Sequence, residues 1–135
     1  VLGQIYTNEV LSPALLEALA RTPREDFVPE SLKHCACVDE DLPLGNGRFL
    51  ISPLVFARMA QLAEVTAASR VLVLGSNLGY GSAVLSRLAH SVVACESDER
   101  MVAEASKNLK SHDCANVRPV HVAKLSDGYL PAAPY

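Results

Sequence analysis

The sequence predicts a three-layer α/β domain, the first half of a doubly wound parallel sheet, preceded by a helical N-terminal segment. Three observations carry this expectation. Val71-Leu72-Val73-Leu74 and Ser91-Val92-Val93-Ala94-Cys95 are short uninterrupted apolar runs, the pattern of strands covered on both faces. Helical periodicity over 80–88 and 98–109 follows each run, and a third run from Val117 to Val122 completes a β-α-β-α-β order. Gly75 ends the first run, where a parallel strand must turn sharply into its helix. Such alternation with short connections gives right-handed crossovers and places a ligand crevice at the carboxyl ends of the strands. The 135 residues suit one domain and one core. Residues 1–64 read as the helical N-terminal, substrate-side segment and 65–135 as the first half of the nucleoside-binding domain.

Before the sheet, Ser12-Pro13 is a cap and first-turn signature, with Leu15, Leu16 and Leu19 on one helical face to about Arg21. Thr22-Pro23-Arg24-Glu25-Asp26 breaks that helix, and Phe27-Val28-Pro29 supplies an apolar anchor. Val38 to Arg48 is acidic, then glycine-rich, without helical period, and is expected as a long loop. Ser52-Pro53 repeats the cap signature and opens a helix to about Glu64, with Leu54, Val55, Met59, Leu62 and Ala63 as its buried stripe.

A composition of 50% hydrophobic and 20% charged residues excludes disorder as the main description. The formal charge of −3 lacks the basic field of a nucleic-acid or acidic-membrane binder. No apolar run reaches the roughly 18 residues of a membrane span, and no signal-peptide pattern opens the chain, so a cytoplasmic protein is expected. Cys35, Cys37, Cys95 and Cys114 form no C-x-x-C pair and are expected as reduced thiols. A chain that opens at Val1 and stops at Tyr135 after Pro-Ala-Ala-Pro reads as incomplete.

The chemistry-bearing feature is Gly75-Ser76-Asn77-Leu78-Gly79, joined to Glu96 after the second strand, 21 residues beyond Gly75. A glycine loop lets the backbone approach a ligand, and an acid at the next strand end accepts hydrogen bonds from a ribose diol. A dinucleotide fingerprint is disfavoured, because Asn77 fills its second glycine slot in one register and Val84 its third in the other. A P-loop is disfavoured by the absence of a lysine. G-x-x-x-G with a downstream acid remains, the pattern used for S-adenosylmethionine. The plainer alternative is a strand-helix turn beside an exposed acid.

At this point the chain resembles the protein-L-isoaspartate O-methyltransferases, in their divergent bacterial branch. The resemblance runs through Gln4-Ile5-Tyr6-Thr7-Asn8, Val28-Pro29, Asp39-Glu40-Asp41-Leu42-Pro43-Leu44-Gly45, Ala57-Arg58-Met59, Val71 to Val84, Asn116-Val117-Arg118 and Ala132-Ala133-Pro134-Tyr135. Gly47-Arg48-Phe49-Leu50 leading into Pro53 points to the divergent branch. The resemblance implies a Rossmann-like methyltransferase fold with only the first three of its seven strands present. It implies S-adenosylmethionine as cofactor and isoaspartyl-containing proteins or peptides as substrate, methylated on the side-branch α-carboxylate. On this resemblance Gly75, Ser76, Asn77, Gly79, Glu96, Ser97, Lys124 and Leu125 are the expected cofactor-binding residues. Catalysis by these 135 residues alone is not expected.

Four positions depart from the family pattern: Ile51 where it has a substrate-facing serine, Val73 for an acid, Asn77 for a glycine and Lys124 for an aspartate. Ser52 is the nearest hydroxyl and the candidate catalytic residue, although serine before Pro53 reads first as a helix cap. The alternative function is a non-catalytic homologue that binds a nucleoside or a protein partner; a nicotinamide dinucleotide binder is a weaker third. Metal binding by His34-Cys35-Ala36-Cys37 and His112-Asp113-Cys114 is disfavoured by spacing, and none is expected. Asp39-Glu40-Asp41 reads first as a solvated loop and otherwise as part of the substrate mouth, and His90 and His121 carry no motif.

Overall fold

The computed structural model describes residues 12–135; the Gln4–Asn8 part of the family resemblance lies outside them. Helix α1 (Pro13–Ala20) starts as its sequence requires, with the Ser12 side chain accepting from the Leu15 amide at 3.4 Å. Leu15, Ala18 and Leu19 face inward. Two short 3-10 turns, Arg24–Phe27 and Glu30–Cys35, follow. Phe27 is the anchor, buried against Tyr80 with ring centroids 5.9 Å apart.

The expected long loop is instead a β-hairpin, β1 (Leu42–Gly45) with β2 (Arg48–Leu50), antiparallel and irregular between Pro43 and Gly45. Three successive residues, Gly45, Asn46 and Gly47, take positive φ of 92°, 52° and 73°. Asn-Gly between two apolar runs is the sequence signal of such a turn, here obscured by Pro43 and the short strands.

Helix α2 (Pro53–Leu62) is where expected, but its cap is not. Ser52 makes no side-chain cap bond; Asp41 Oδ1 accepts from the Ser52 amide at 2.7 Å and Asp39 Oδ1 from the Leu54 amide at 3.3 Å. Carboxylates satisfy free helix-start amides and also favour the positive end of the helix dipole. The two aspartates thus have structural partners rather than a purely solvated role. The expected stripe is also corrected: Pro53, Ala57 and Ala60 are buried, while Val55, Met59 and Leu62 are exposed. Small residues face the core, and of the exposed large ones Met59 borders an open cleft.

The sheet has three parallel strands in the order β3 (Arg70–Leu74), β4 (Ser91–Glu96), β5 (Val117–His121). Helix α3 (Tyr80–Ser86) follows β3, and α4 (Glu99–Ser111) follows β4. Asp98 caps α4, accepting from Arg100 and Met101, and Met101, Ala105 and Leu109 form its buried stripe. Central β4 is buried from Val92 to Glu96. β3 is not covered on both faces as its apolar run implied; it pairs only with β4 among the described residues, and Leu74 is 50% exposed. One core joins Leu15, Phe27, Leu50, Tyr80, Val84 and Leu109, so both halves of the sequence contribute to it.

Gly79 opens α3 at φ +98°, with a Cβ built there meeting Leu109 Cγ at 3.4 Å and Ala105 Cβ at 3.5 Å. A left-handed conformation costs a non-glycine residue about 1–2 kcal/mol. Gly79→Ala is therefore expected to lower the unfolding free energy by that amount, seen as a lower urea midpoint at unchanged slope. A midpoint equal to wild type would contradict the packing described.

Candidate functional site

The site is built where β3 and β4 end. Gly75 and Ser76 both donate backbone N–H bonds to the Cys95 carbonyl, at 2.9 and 3.1 Å, which folds the glycine loop over the end of β4. Gly75 can do so because it takes φ +76°. The Ser76 carbonyl then accepts from the Gly79 amide at 3.0 Å and closes the turn. Asn77 sits at φ 50°, a left-handed position that asparagine tolerates.

This fold-back sets the Asn77 amide 2.8 Å from Glu96 Oε2. Glu96 Oε1 accepts from the Ser97 amide at 2.8 Å and the Asp98 amide at 3.3 Å. Glu96 has no solvent exposure, so its charge requires such partners. Its side-chain partners are the Ser97 hydroxyl, 3.5 Å from Oε1, and Arg48 of β2, whose Nη2 donates to Oε1 and, at 2.8 Å, to Ser97 Oγ. The reading of Glu96 as an exposed acid beside a simple turn is thereby excluded.

The hairpin and the loop are also tied by Asn77 Nδ2, which donates to the Phe49 carbonyl at 2.9 Å, while Asn77 Oδ1 is buried without a partner. Leu125 closes the site from beyond β5, with Cδ1 3.6 Å from a Cβ built on Gly75. Lys124 is exposed, and His121 Nε2 lies 3.3 Å from the Ser97 carbonyl. Gly75, Ser76, Asn77, Glu96, Ser97 and Leu125 thus share one locus, whereas Gly79 acts one turn away through packing.

Beside this locus, a cleft of about 390 Å³ runs along the free side of β3, walled by Ile51, Phe56, Met59, Val73 and the glycine loop. Ile51, not Ser52, lines it; Ser52 is buried at the α2 start, with its amide on Asp41. Sequence reasoning missed Arg48 and Arg24. Arg48 is the lone Lys or Arg between Lys33 and Arg58, and an acid ending a buried strand needs a base. That pairing of needs was the available signal.

The chemical capacity is that of a diol subsite. A buried carboxylate accepts from two hydroxyls, and the glycine backbone allows close approach beside it. These donor and acceptor types match what a ribose diol presents, and Arg48 holds the carboxylate in this structure.

Cys95, next to Glu96, is fully buried and burial pushes its thiol up; Cys114 is buried, Cys35 half-buried and Cys37 exposed. Alkylation read by mass spectrometry should label Cys37 first, with Cys95 and Cys114 reacting only on unfolding. Early labelling of Cys95 would mean that the site opens to solvent. Among the described residues no three His, Cys, Asp or Glu side chains form a metal-binding group, and His112 instead pairs with Asp26 at 3.1 Å. No helix among them is long and apolar enough to cross a membrane.

Comparison with known proteins agrees with this architecture. The model of the family described as Protein-L-isoaspartate(D-aspartate) O-methyltransferase (PCMT) matches residues 2–135. The Protein-L-isoaspartate O-methyltransferase of Klebsiella pneumoniae strain 342 is 37% identical over 121 residues, covering 90% of this chain and 58% of the relative. Protein-L-isoaspartate O-methyltransferase 2 of Shewanella sediminis is 36% identical over 130 residues, covering 96% and 52%. The chain therefore spans little more than half the length of these relatives. A solved protein-L-isoaspartate O-methyltransferase superposes with TM-score 0.82 over 99% of this chain and 44% of its own, at 24% identity. A putative Plasmodium falciparum protein-L-isoaspartate O-methyltransferase, solved in complex with S-adenosyl-L-homocysteine, gives 0.72 over 91% and 61%, at 14% identity. These two superpositions establish the Rossmann-like methyltransferase fold.

Proposed function

This chain belongs to the protein-L-isoaspartate O-methyltransferase family, and from that premise we propose that it serves S-adenosylmethionine-dependent methylation of the α-carboxylate of isoaspartyl residues in proteins. The observation that carries the proposal is the buried Glu96 carboxylate under the glycine loop, 2.8 Å from the Asn77 amide. The bound cofactor supplies an electrophilic methyl group on a sulfonium. Glu96 accepts the ribose hydroxyls, the Gly75 backbone leaves room for the amino-acid tail, and Ser76, Asn77, Ser97, Lys124 and Leu125 border the same ligand.

The acceptor carboxylate is ionised near neutral pH, because model carboxyl groups titrate near about 4. The protein therefore has to align it and exclude water rather than remove a proton. Leu50, Ile51 and Phe56 form an apolar wall suited to that exclusion. Ser52 remains the proposed hydroxyl contact to the acceptor, reached if its segment shifts toward the cleft. In this division of labour residues 1–64 present the substrate side and 65–135 the cofactor side. The net charge of −3 offers no broad basic field to nucleic acid or to an acidic membrane, in keeping with action on proteins.

The test is transfer of labelled methyl from S-adenosylmethionine to an isoaspartyl peptide and to its aspartyl twin by the full-length protein. Labelling of the isoaspartyl peptide alone is expected. A folded, cofactor-bound protein that labels neither would sink the proposal. It would favour a second reading, a homologue that binds a nucleoside or protein partner without methylation, which Ile51 lining the cleft in place of a hydroxyl already supports.

A further inference from the structure

The Glu96 carboxylate has about four lone-pair sites, and four nitrogens already donate to it. Three are backbone amides fixed by the loop and by the α4 start, those of Asn77, Ser97 and Asp98. The fourth is Arg48 Nη2, which can leave by rotating a side chain, as can the Ser97 hydroxyl that donates to Oε1 at a longer 3.5 Å. The same guanidinium covers the second half of the subsite, because Arg48 Nη1 lies 3.4 Å from a Cβ built on Gly75. It therefore fills both the acid and the close-approach position that a bound nucleoside needs.

Arg48 is also carried on a short element, anchored in the core through Leu42 and Leu50. Its strand has three residues in a two-stranded hairpin, an element of marginal stability by itself. Across the site, Arg48 to Glu96 and Ser97, and Asn77 Nδ2 to the Phe49 carbonyl, fasten that hairpin to the glycine loop.

Resting on the cofactor reading above, we propose that Arg48 is an internal competing ligand of the diol subsite, a latch that must leave Glu96 before a nucleoside diol binds. Closed and open hairpin states then compete, and apparent affinity falls by the fraction of molecules that are open. Because Phe49, Leu50 and Ile51 continue from Arg48 into the cleft wall, release of the latch also frees the acceptor side. Cofactor binding and reshaping of the acceptor cleft are thereby one event.

The test is calorimetric titration of S-adenosylhomocysteine into wild type, Arg48→Ala and Arg48→Gln, each checked for folding by circular dichroism. Arg48→Gln keeps a neutral donor near Glu96 in case the alanine variant folds poorly. The expected result is binding about tenfold tighter in the folded variant than in wild type. Saturating ligand should also speed amide hydrogen exchange over 45–50 in wild type, toward the rate the variant shows without ligand. Binding by wild type with equal or weaker binding by Arg48→Gln overturns the latch and leaves the cofactor reading standing. Absence of binding by every folded form overturns both.

Discussion

Glu96→Ala is expected to lower stability by about 3 kcal/mol and to abolish nucleoside binding. Removing one partner of a buried ion pair costs about 3–5 kcal/mol, and the lower end applies here because the Arg48 side chain keeps 22% of its exposure. The loss also strips the Asn77 and Ser97 amides of their acceptor. For a domain of this size, 3 kcal/mol lowers the thermal midpoint by on the order of 10 °C. Glu96→Gln retains shape and a carbonyl acceptor, so it should lose less stability while still weakening the diol subsite. Thermal unfolding of both variants checks this: equal midpoints for wild type and Glu96→Ala would show that the carboxylate is not the buried centre described.

Arg24→Ala is expected to cost about 2–4 kcal/mol, because it leaves two carbonyls of different segments without a donor. Arg24 is buried; its Nε donates to Ala36 at 2.6 Å and its Nη2 to Ile51 at 2.7 Å. The guanidinium lies 5.2 Å from the centroid of the Tyr80 ring, so one side chain ties a 3-10 turn, the cleft wall and α3. Arg24→Met keeps apolar volume and should be milder, which separates packing from hydrogen bonding. Burial holds the Tyr80 phenol above its ordinary range, and Arg24 partly offsets this. The Tyr80 contribution is complete below the unfolded value of about 10 and is lost as pH rises through the higher folded value. Without Arg24 that folded value rises further, so Arg24→Met should lose more stability than wild type between neutral pH and pH of about 11. Chemical denaturation at both pH values measures it; identical losses would place the guanidinium away from the ring.

The alternation of apolar runs and periodic segments made β3, β4, β5, α3 and α4 legible, because buried parallel strands and amphipathic helices leave strong patterns. The hairpin was not legible: its strands are short, Pro43 interrupts one of them, and the Asn46-Gly47 turn lies inside an acidic, glycine-rich stretch. The α2 stripe was misread because alanines at 57 and 60 carry little hydrophobic signal, yet fit closest to the core. In the site, Gly75 and Glu96 were readable from spacing alone, and Asn77 takes a left-handed backbone that asparagine tolerates. Arg24 was not readable, and Arg48 only through the need of a buried acid for a base, since their partners lie 27 residues away at Ile51 and 48 away at Glu96. Only tertiary structure brings such pairs together. Ser52 illustrates the opposite error, a local cap signature overridden by Asp41 and Asp39 from the preceding loop.

The most direct test of the diol subsite is calorimetric titration of S-adenosylhomocysteine into wild type beside Glu96→Gln, with folding of both verified by circular dichroism. Saturable one-to-one binding by wild type, weakened about tenfold or more in the variant, is the expected result, because a lost charge-assisted hydrogen bond is worth about 1.5–3 kcal/mol. Equal affinity of the two proteins, or no binding by folded wild type, would contradict the assignment of Glu96 as the acceptor of the ribose hydroxyls.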